Sequence, residues 1–272
     1  MKAKSASYPY LVWMAVFIIV PTALVAVFAF TDRSGAFTLK NLEGVGRYSN
    51  VFLRSVWLGA IATAVCLLLG YPLAYRIARS AGRRQAVLVM LVMLPMWMNF
   101  LLRTYAWMTL LEDSGLINRA LAVFGLPPLH MINTQGAVVL GMVYNYIPYM
   151  ILPLYSVLTK IDPSVIEAAQ DLGADDRRVF LRVTLPMSMP GVISGVTMVF
   201  VPAVSTFIIS KMLGGGSNLL IGDLIDMQFL GSAYNPNLGS AISLVLMVLI
   251  LICMGIMNQF DENGATEGGV LV

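Results

Sequence analysis

The chain has 272 residues, 58% of them hydrophobic and 11% charged, with a mean hydropathy of +0.82 and a formal net charge of +3. A water-soluble fold cannot cover that much apolar surface, and a small positive charge scattered in short clusters between apolar runs excludes a nucleic-acid-binding reading. Cys66 and Cys253 fall inside apolar runs, and the single histidine, His130, follows Pro127 and Pro128 in a polar interval. A disulfide scaffold, a zinc site and a histidine base are therefore not indicated, and no metal is expected.

Apolar stretches of roughly 20 residues, the length that crosses a bilayer core, predict six spans. In chain order they are Leu11–Phe30, Val56–Ile77, Ala86–Tyr105, Gly136–Leu158, Gly191–Ile209 and Leu238–Met257. The first follows Lys2 and Lys4, but its apolar region is too long for a signal peptide and no small-x-small cleavage site follows, so it is read as an uncleaved span. Ten basic residues fall on one side: Lys2, Lys4, Arg76, Arg79, Arg83, Arg84, Lys160, Arg177, Arg178 and Arg182. Six fall on the other: Arg33, Lys40, Arg47, Arg54, Arg119 and Lys211. The bias predicts a multi-pass membrane protein with both termini in the cytoplasm. Pro72, Pro95, Pro148, Pro153 and Pro202 lie within the spans, where each removes a helical hydrogen bond. Gly191 and Gly195 form a GxxxG pair that permits close helix approach.

The interval from Thr159 to Met189, between the fourth and fifth spans, reads as ordered helix. Asp162 suits an N-cap and Pro163 the first turn, while Val165, Ala169 and Leu172 share a face with Glu167, Gln170 and Asp171 turned elsewhere. Gly173 is placed to end that helix in a left-handed conformation. A second short amphipathic stretch begins near Asp175 or Asp176, carries Val179, Phe180 and Val183, and is expected to stop at Leu185-Pro186. A bent helical pair projecting into the cytoplasm suits docking to a partner.

Glu167-Ala168-Ala169, three residues, Gly173, nine residues, Val183, one residue and Leu185-Pro186 reproduce a spacing that resembles the coupling-loop hallmark of the membrane subunits of binding-protein-dependent ABC importers of the type I fold. Val183 stands where isoleucine is commoner. The run from Leu94-Pro95-Met96-Trp97 to Tyr105-Ala106-Trp107, the run from Ile147 to Tyr155, Asp171-Leu172-Gly173-Ala174 and Met212-Leu213-Gly214-Gly215-Gly216 are similar to permeases of the spermidine/putrescine importer family, most of all to the first of its two permease chains.

The resemblance implies an all-α polytopic fold and a single permease domain over 1–272, with its core at about 51–258, a coupling loop at 159–189 and a short tail at 258–272. It implies a transport subunit, not an enzyme, with no cofactor of its own. Two copies of an ATPase bind ATP and Mg²⁺, and the other partners are a second homologous permease, an extracytoplasmic polyamine-binding protein and membrane lipid. Glu167, Ala168, Ala169, Asp171, Gly173, Leu185 and Pro186 would couple to the ATPase, with Glu167 and Gly173 holding the docking knob in shape. No GxxxxGK[ST] occurs, so ATP acts through a partner.

The expected path candidates are Trp97, Asn99, Tyr144, Tyr149, Asp223 and Asp226. No Asp or Glu lies within the six spans, so aromatic faces, including Tyr105, Trp107 and Tyr146, are the available attraction for an ammonium group. An interfacial aromatic belt suits Trp107 and Tyr105 equally, Asn99 also suits a bridge between helices, and Asp223 and Asp226 suit a cation, a binding-protein contact or a solvated helical face. Arg103 is expected to snorkel outward or to pair with Glu112 or Asp113. The alternatives are an importer of this fold for another small solute such as ferric iron, an ion-coupled secondary transporter, and an intramembrane hydrolase. The second lacks intramembrane acids and repeat symmetry, and the third lacks HExxH, GxSxG and any histidine in a span.

Overall fold

The computed structural model describes residues 8–216, 218–231 and 233–267. Lys2, Lys4 and the last five residues of the expected tail lie outside the described residues. The described residues form helices and no strand, with one isolated bridge between Thr31 and Phe37. Four helices are long and apolar enough to cross a membrane in one piece, and two bent pairs bring the number to six.

The first span, α1 (Pro9–Ala29), leads through a short helix α2 (Lys40–Val45) into α3 (Ser49–Ala78). Thirty residues of α3 measure about 45 Å at 1.5 Å per residue, longer than a hydrocarbon core of about 30 Å. Pro72 lies inside α3 and does not interrupt it. Next come α4 (Gly82–Trp97), α5 (Phe100–Leu111), α6 (Leu116–Val123) and the fourth span α7 (Gln135–Leu158), which carries Pro148 and Pro153 without a break. The interval after the fourth span holds α8 (Pro163–Asp171) and α9 (Asp176–Met187). The rest is α10 (Met189–Ser205), α11 (Ile208–Leu213), α12 (Ile221–Phe229) and α13 (Pro236–Glu267).

Two predicted spans are corrected. The third, Ala86–Tyr105, is broken at Met98 and Asn99, and the chain turns by 88° between α4 and the α5–α6 segment. Apolarity runs through the turn, but Met98 is extended and the Asn99 side chain accepts from the N–H groups of Leu101 (2.9 Å) and Leu102 (3.3 Å), starting a new helix. Asn99 is thus an N-cap. The fifth, Gly191–Ile209, ends at Ser205, three residues after Pro202, and restarts as α11 beyond an extended Thr206. The last span agrees with the prediction, although its helix runs on to Glu267 through most of the expected tail.

One core joins α3, α7, α10 and α11 around Leu58, Met142, Met150, Leu154, Val199 and Ile209. A second gathers the C-terminal end of α1 and the N-terminal end of α3 with α12 and α13 around Val204, Ile221 and Ile242. Small residues let the backbones meet. A Cβ on Gly195 would lie 3.2 Å from the Met150 carbonyl, and one on Gly191 3.1 Å from that of Pro153, so the GxxxG pair seats α10 on α7. Polar ties close the end at the second core: the Ile221 N–H donates to Ser55 Oγ at 2.8 Å, and Asn237 Nδ2 to the Thr31 carbonyl at 2.7 Å.

Candidate coupling site

The arm from Thr159 to Met189 is built largely as its sequence dictates. Asp162 accepts from the Ser164 N–H at 2.9 Å, with Pro163 in the first turn of α8. That backbone bond, with a lesser one from the Ser164 side chain, holds the Asp162 carboxyl below the usual carboxylate range. Gly173 has φ +82°, and the N–H groups of Gly173 and Ala174 donate to the carbonyls of Gln170 (2.8 Å) and Ala169 (3.1 Å), closing the end of α8. Asp175 caps α9 by accepting from the Arg178 N–H at 2.9 Å, and Gln170 reaches Asp176 at 3.3 Å, tying the two arms together.

The two faces of α8 differ. Val165 is 40% and Leu172 90% exposed, so the apolar stripe of the sequence points outward and is free to meet another protein. Ala169, between them in the stripe, is half-buried; Ile166, also half-buried, and the exposed Glu167 and Gln170 line an open cavity of about 480 Å³ with Tyr75, Arg79 and Thr184. Glu167 forms no ion pair among the described residues, and the loop's shape rests instead on Asp162, Gly173, Asp175 and the Gln170–Asp176 contact.

Leu185-Pro186 does not stop α9, contrary to expectation. Residues Phe180–Thr184 form a π turn and the helix continues to Met187. The wider turn already lifts a carbonyl out of the regular ladder just before the proline ring, so Pro186 is carried inside the helix. A bend of 62° then joins α9 to α10.

The joint between this arm and the membrane core was not legible beforehand. The Phe180 ring stands edge-on to both Tyr71 (5.7 Å) and Tyr75 (5.8 Å) of α3, and Tyr71 Oη meets Ser188 Oγ at 2.8 Å. The arm is therefore packed on α3 through these contacts as well as joined to α10 in the chain.

The path candidates fall into separate groups. Trp97 is 74% exposed at the break in the third span, and Tyr149, 39% exposed, lies tilted against Tyr146. Tyr144 packs edge-on against Trp107 at 5.3 Å in the wall of an apolar cavity of about 470 Å³, so Trp107 is a packing residue as much as a belt residue. Asp223 and Asp226 share a different cavity of about 280 Å³ with Ser210 and Lys211. Asp226 pairs with Lys211 at 3.1 Å. Asp223 is buried and accepts from the Leu220 N–H at 2.8 Å, with the Ser210 hydroxyl in the same cavity. It is not the solvated face that was one of its readings. Arg103 neither snorkels nor pairs with Glu112 or Asp113: it is buried, and Asp113 faces His130 at 2.9 Å.

Burial raises the Asp223 carboxyl above its ordinary value of 3.8, against the lowering effects of Ser210, the Leu220 N–H and Lys211. A carboxyl raised in the folded state contributes its full stability below the ordinary value and loses it as pH rises through the folded value. Asp223→Asn is therefore expected to match wild type in thermal melting in acid and to equal or exceed it at pH 7, the difference growing above 3.8. A variant that melts lower at pH 7 than in acid, relative to wild type, contradicts this sign.

Residues 4–263 match the family described as binding-protein-dependent transport system inner membrane component. The spermidine/putrescine transport system permease protein PotB of Haemophilus influenzae is 38% identical over 260 residues, 92% of this chain and 91% of that protein. PotB of Escherichia coli K12 is 36% identical over 255 residues, covering 90% and 91%. Among solved structures, a bacterial ABC transporter involved in import of the acidic polysaccharide alginate superposes with a TM-score of 0.78 at 17% identity, covering 96% of this chain and 95% of its own. An inward-facing MetNI methionine ABC transporter gives 0.59 at 16%, covering 79% and 95%, and both show the fold. The chain belongs to the inner membrane components of binding-protein-dependent transport systems, the permeases of ABC importers, and is a transport component rather than an enzyme.

Proposed function

We propose that this chain is one of two related permease subunits of an ATP-driven importer that carries polyamines such as spermidine and putrescine into the cytoplasm. The observation that carries the cargo reading is the identity of 36–38% with PotB proteins from two organisms over nine-tenths of each chain. In this reading both termini are cytoplasmic, and two copies of a separate ATPase hold ATP and Mg²⁺. A binding protein delivers cargo from the outside.

Glu167, Ala168, Ala169, Asp171, Gly173, Leu185 and Pro186 form the coupling element. Val165 and Leu172 offer the ATPase an apolar stripe, and Phe180 passes its movement to α3. The path is assigned to the aromatic faces of Trp97, Tyr144 and Tyr149, with Asn99 fixing the turn that presents Trp97, and with Asp223 and Asp226 on the outer side. Aromatic faces attract an alkylammonium by about 0.5–2 kcal/mol each, enough to guide a polycation and weak enough to release it.

Cargo identity is tested in vesicles holding the full complex with ATP inside. Labelled spermidine or putrescine is expected to accumulate when the cognate binding protein is outside, and unlabelled polyamine to compete. Accumulation of another solute such as ferric iron, with no polyamine uptake, overturns the cargo and leaves the importer.

A further inference from the structure

The turn between the second and third spans gathers charge of one sign. Arg76, Arg79 and Arg84 line one cavity of about 600 Å³ between the end of α3 and the start of α4. No Asp or Glu occurs from 44 to 111, so neither helix carries a counter-charge, and among the described residues none of the three arginines forms an ion pair. Arg79 stands over the Tyr75 ring, its guanidinium carbon 4.5 Å from the centroid. It also lines the cavity under α8, where Glu167 does not pair with it, so this turn lies at the end of the bundle that carries the arm. Arg83 and Arg84 occupy the first turn of α4, and Ala81 gives that helix no side-chain cap. Cations at the positive end of a helix dipole are unfavourable unless an anion lies near them.

The rest of the cavity is apolar, and the order of residues along its walls narrows the occupant. On α4, Arg84, Leu88, Leu91 and Val92 fall at i, i+4, i+7 and i+8, one helical face that begins in charge and continues as hydrocarbon. At 1.5 Å per residue the two leucines lie about 6 and 10 Å beyond Arg84, inside the third span. On α3, Leu73 lies one turn from Arg76 on the side away from the connection, inside the second span. Leu73 and Leu91 are both about half exposed.

An occupant that satisfies both parts has an anionic head and an apolar tail. A polyamine carries the wrong sign, and inorganic phosphate leaves the leucines uncovered. An acidic surface of a soluble subunit reaches the arginines but not residues within the spans. Guanidinium groups match phosphate oxygens in pairs, and basic pockets between membrane helices suit lipid headgroups. We propose that this groove binds an anionic phospholipid, its phosphate held by Arg76, Arg79 and Arg84 and an acyl chain lying along Leu73, Leu88, Leu91 and Val92. Arg83, next to Arg84 in sequence, does not line the groove.

The test follows thermal melting of the purified, delipidated full complex in neutral detergent as phosphatidylglycerol is added, each protein measured against its own lipid-free melting. The lipid is expected to raise wild-type melting, as a ligand of the folded state does, and phosphatidylcholine is not. Arg76→Gln and Arg84→Gln should each raise the concentration of phosphatidylglycerol needed for half the shift by about fivefold, the effect of one arginine near a phosphate. Arg84→Lys keeps the charge and should retain most of the affinity. Arg83→Gln removes the same charge one residue away and should stay within about twofold of wild type. Equal weakening by Arg83→Gln and Arg84→Gln overturns the proposal, because charge alone would then attract the lipid. An equal shift from glycerol phosphate at the same concentration overturns the lipid as the source of the phosphate. No response to phosphatidylglycerol, with loss of the ATPase from the Arg84→Gln complex, overturns it in favour of an ATPase contact.

Discussion

Gly173→Val is expected to reduce cargo uptake by the assembled complex at least tenfold while the complex still forms and retains its basal ATP hydrolysis. A Cβ at Gly173 would meet nothing within 4 Å, so the effect is conformational and not steric. The residue holds φ +82°, where a non-glycine residue costs about 1–2 kcal/mol and a β-branched one more. Relaxing to negative φ undoes the bonds from Gly173 and Ala174 that close α8, and swings Asp175 and the whole of α9 away from the course set by the Gln170–Asp176 contact. The apolar stripe and the Phe180 joint then no longer hold their spacing. Asparagine tolerates the left-handed region, so Gly173→Asn should keep uptake within about threefold of wild type, with Ala between the two. Equal uptake by the Val and Asn variants would show that the conformation of this residue does not matter.

The second large effect is expected at Phe180. In Phe180→Ala, ATP hydrolysis stimulated by the binding protein should persist while uptake per ATP falls by about tenfold. Edge-on aromatic pairs contribute about 0.5–1.5 kcal/mol each beyond burial, and Phe180 makes two, with Tyr71 and Tyr75 of the same span. Removing the ring cuts the arm's direct connection to α3 but leaves α8 and its outward face intact. Phe180→Leu fills part of the space and should recover part of the yield. A parallel loss of hydrolysis and uptake would place Phe180 in the docking surface and not in transmission.

What was legible in the sequence was local. Asp162, Pro163, Gly173 and Asp175 announce the coupling arm because caps, first-turn prolines and left-handed glycines act within a few residues. Apolar length located the four helices that can cross in one piece and the two bent pairs, but not the breaks, because Met98 and Thr206 are as compatible with a helix in composition as with the extended conformation they adopt. Asn99 could be read as a bridge until the N–H groups of Leu101 and Leu102 were seen to use its side chain. The Phe180 joint left no local mark, since its partners lie more than a hundred positions earlier on α3. Arg103 was expected to escape burial by reaching outward, but it lies on the buried arc of α5, a placement that the run of apolar residues around it does not reveal.

This permease is expected to move nothing uphill by itself and to be driven through the arm from Thr159 to Met189. The most direct measurement is accumulation of labelled cargo in proteoliposomes that contain the permeases with or without the ATPase, at equal internal ATP, with the binding protein outside. Uphill accumulation is expected only when the ATPase is present. Accumulation of equal size without it would return the chain to the class of secondary transporters.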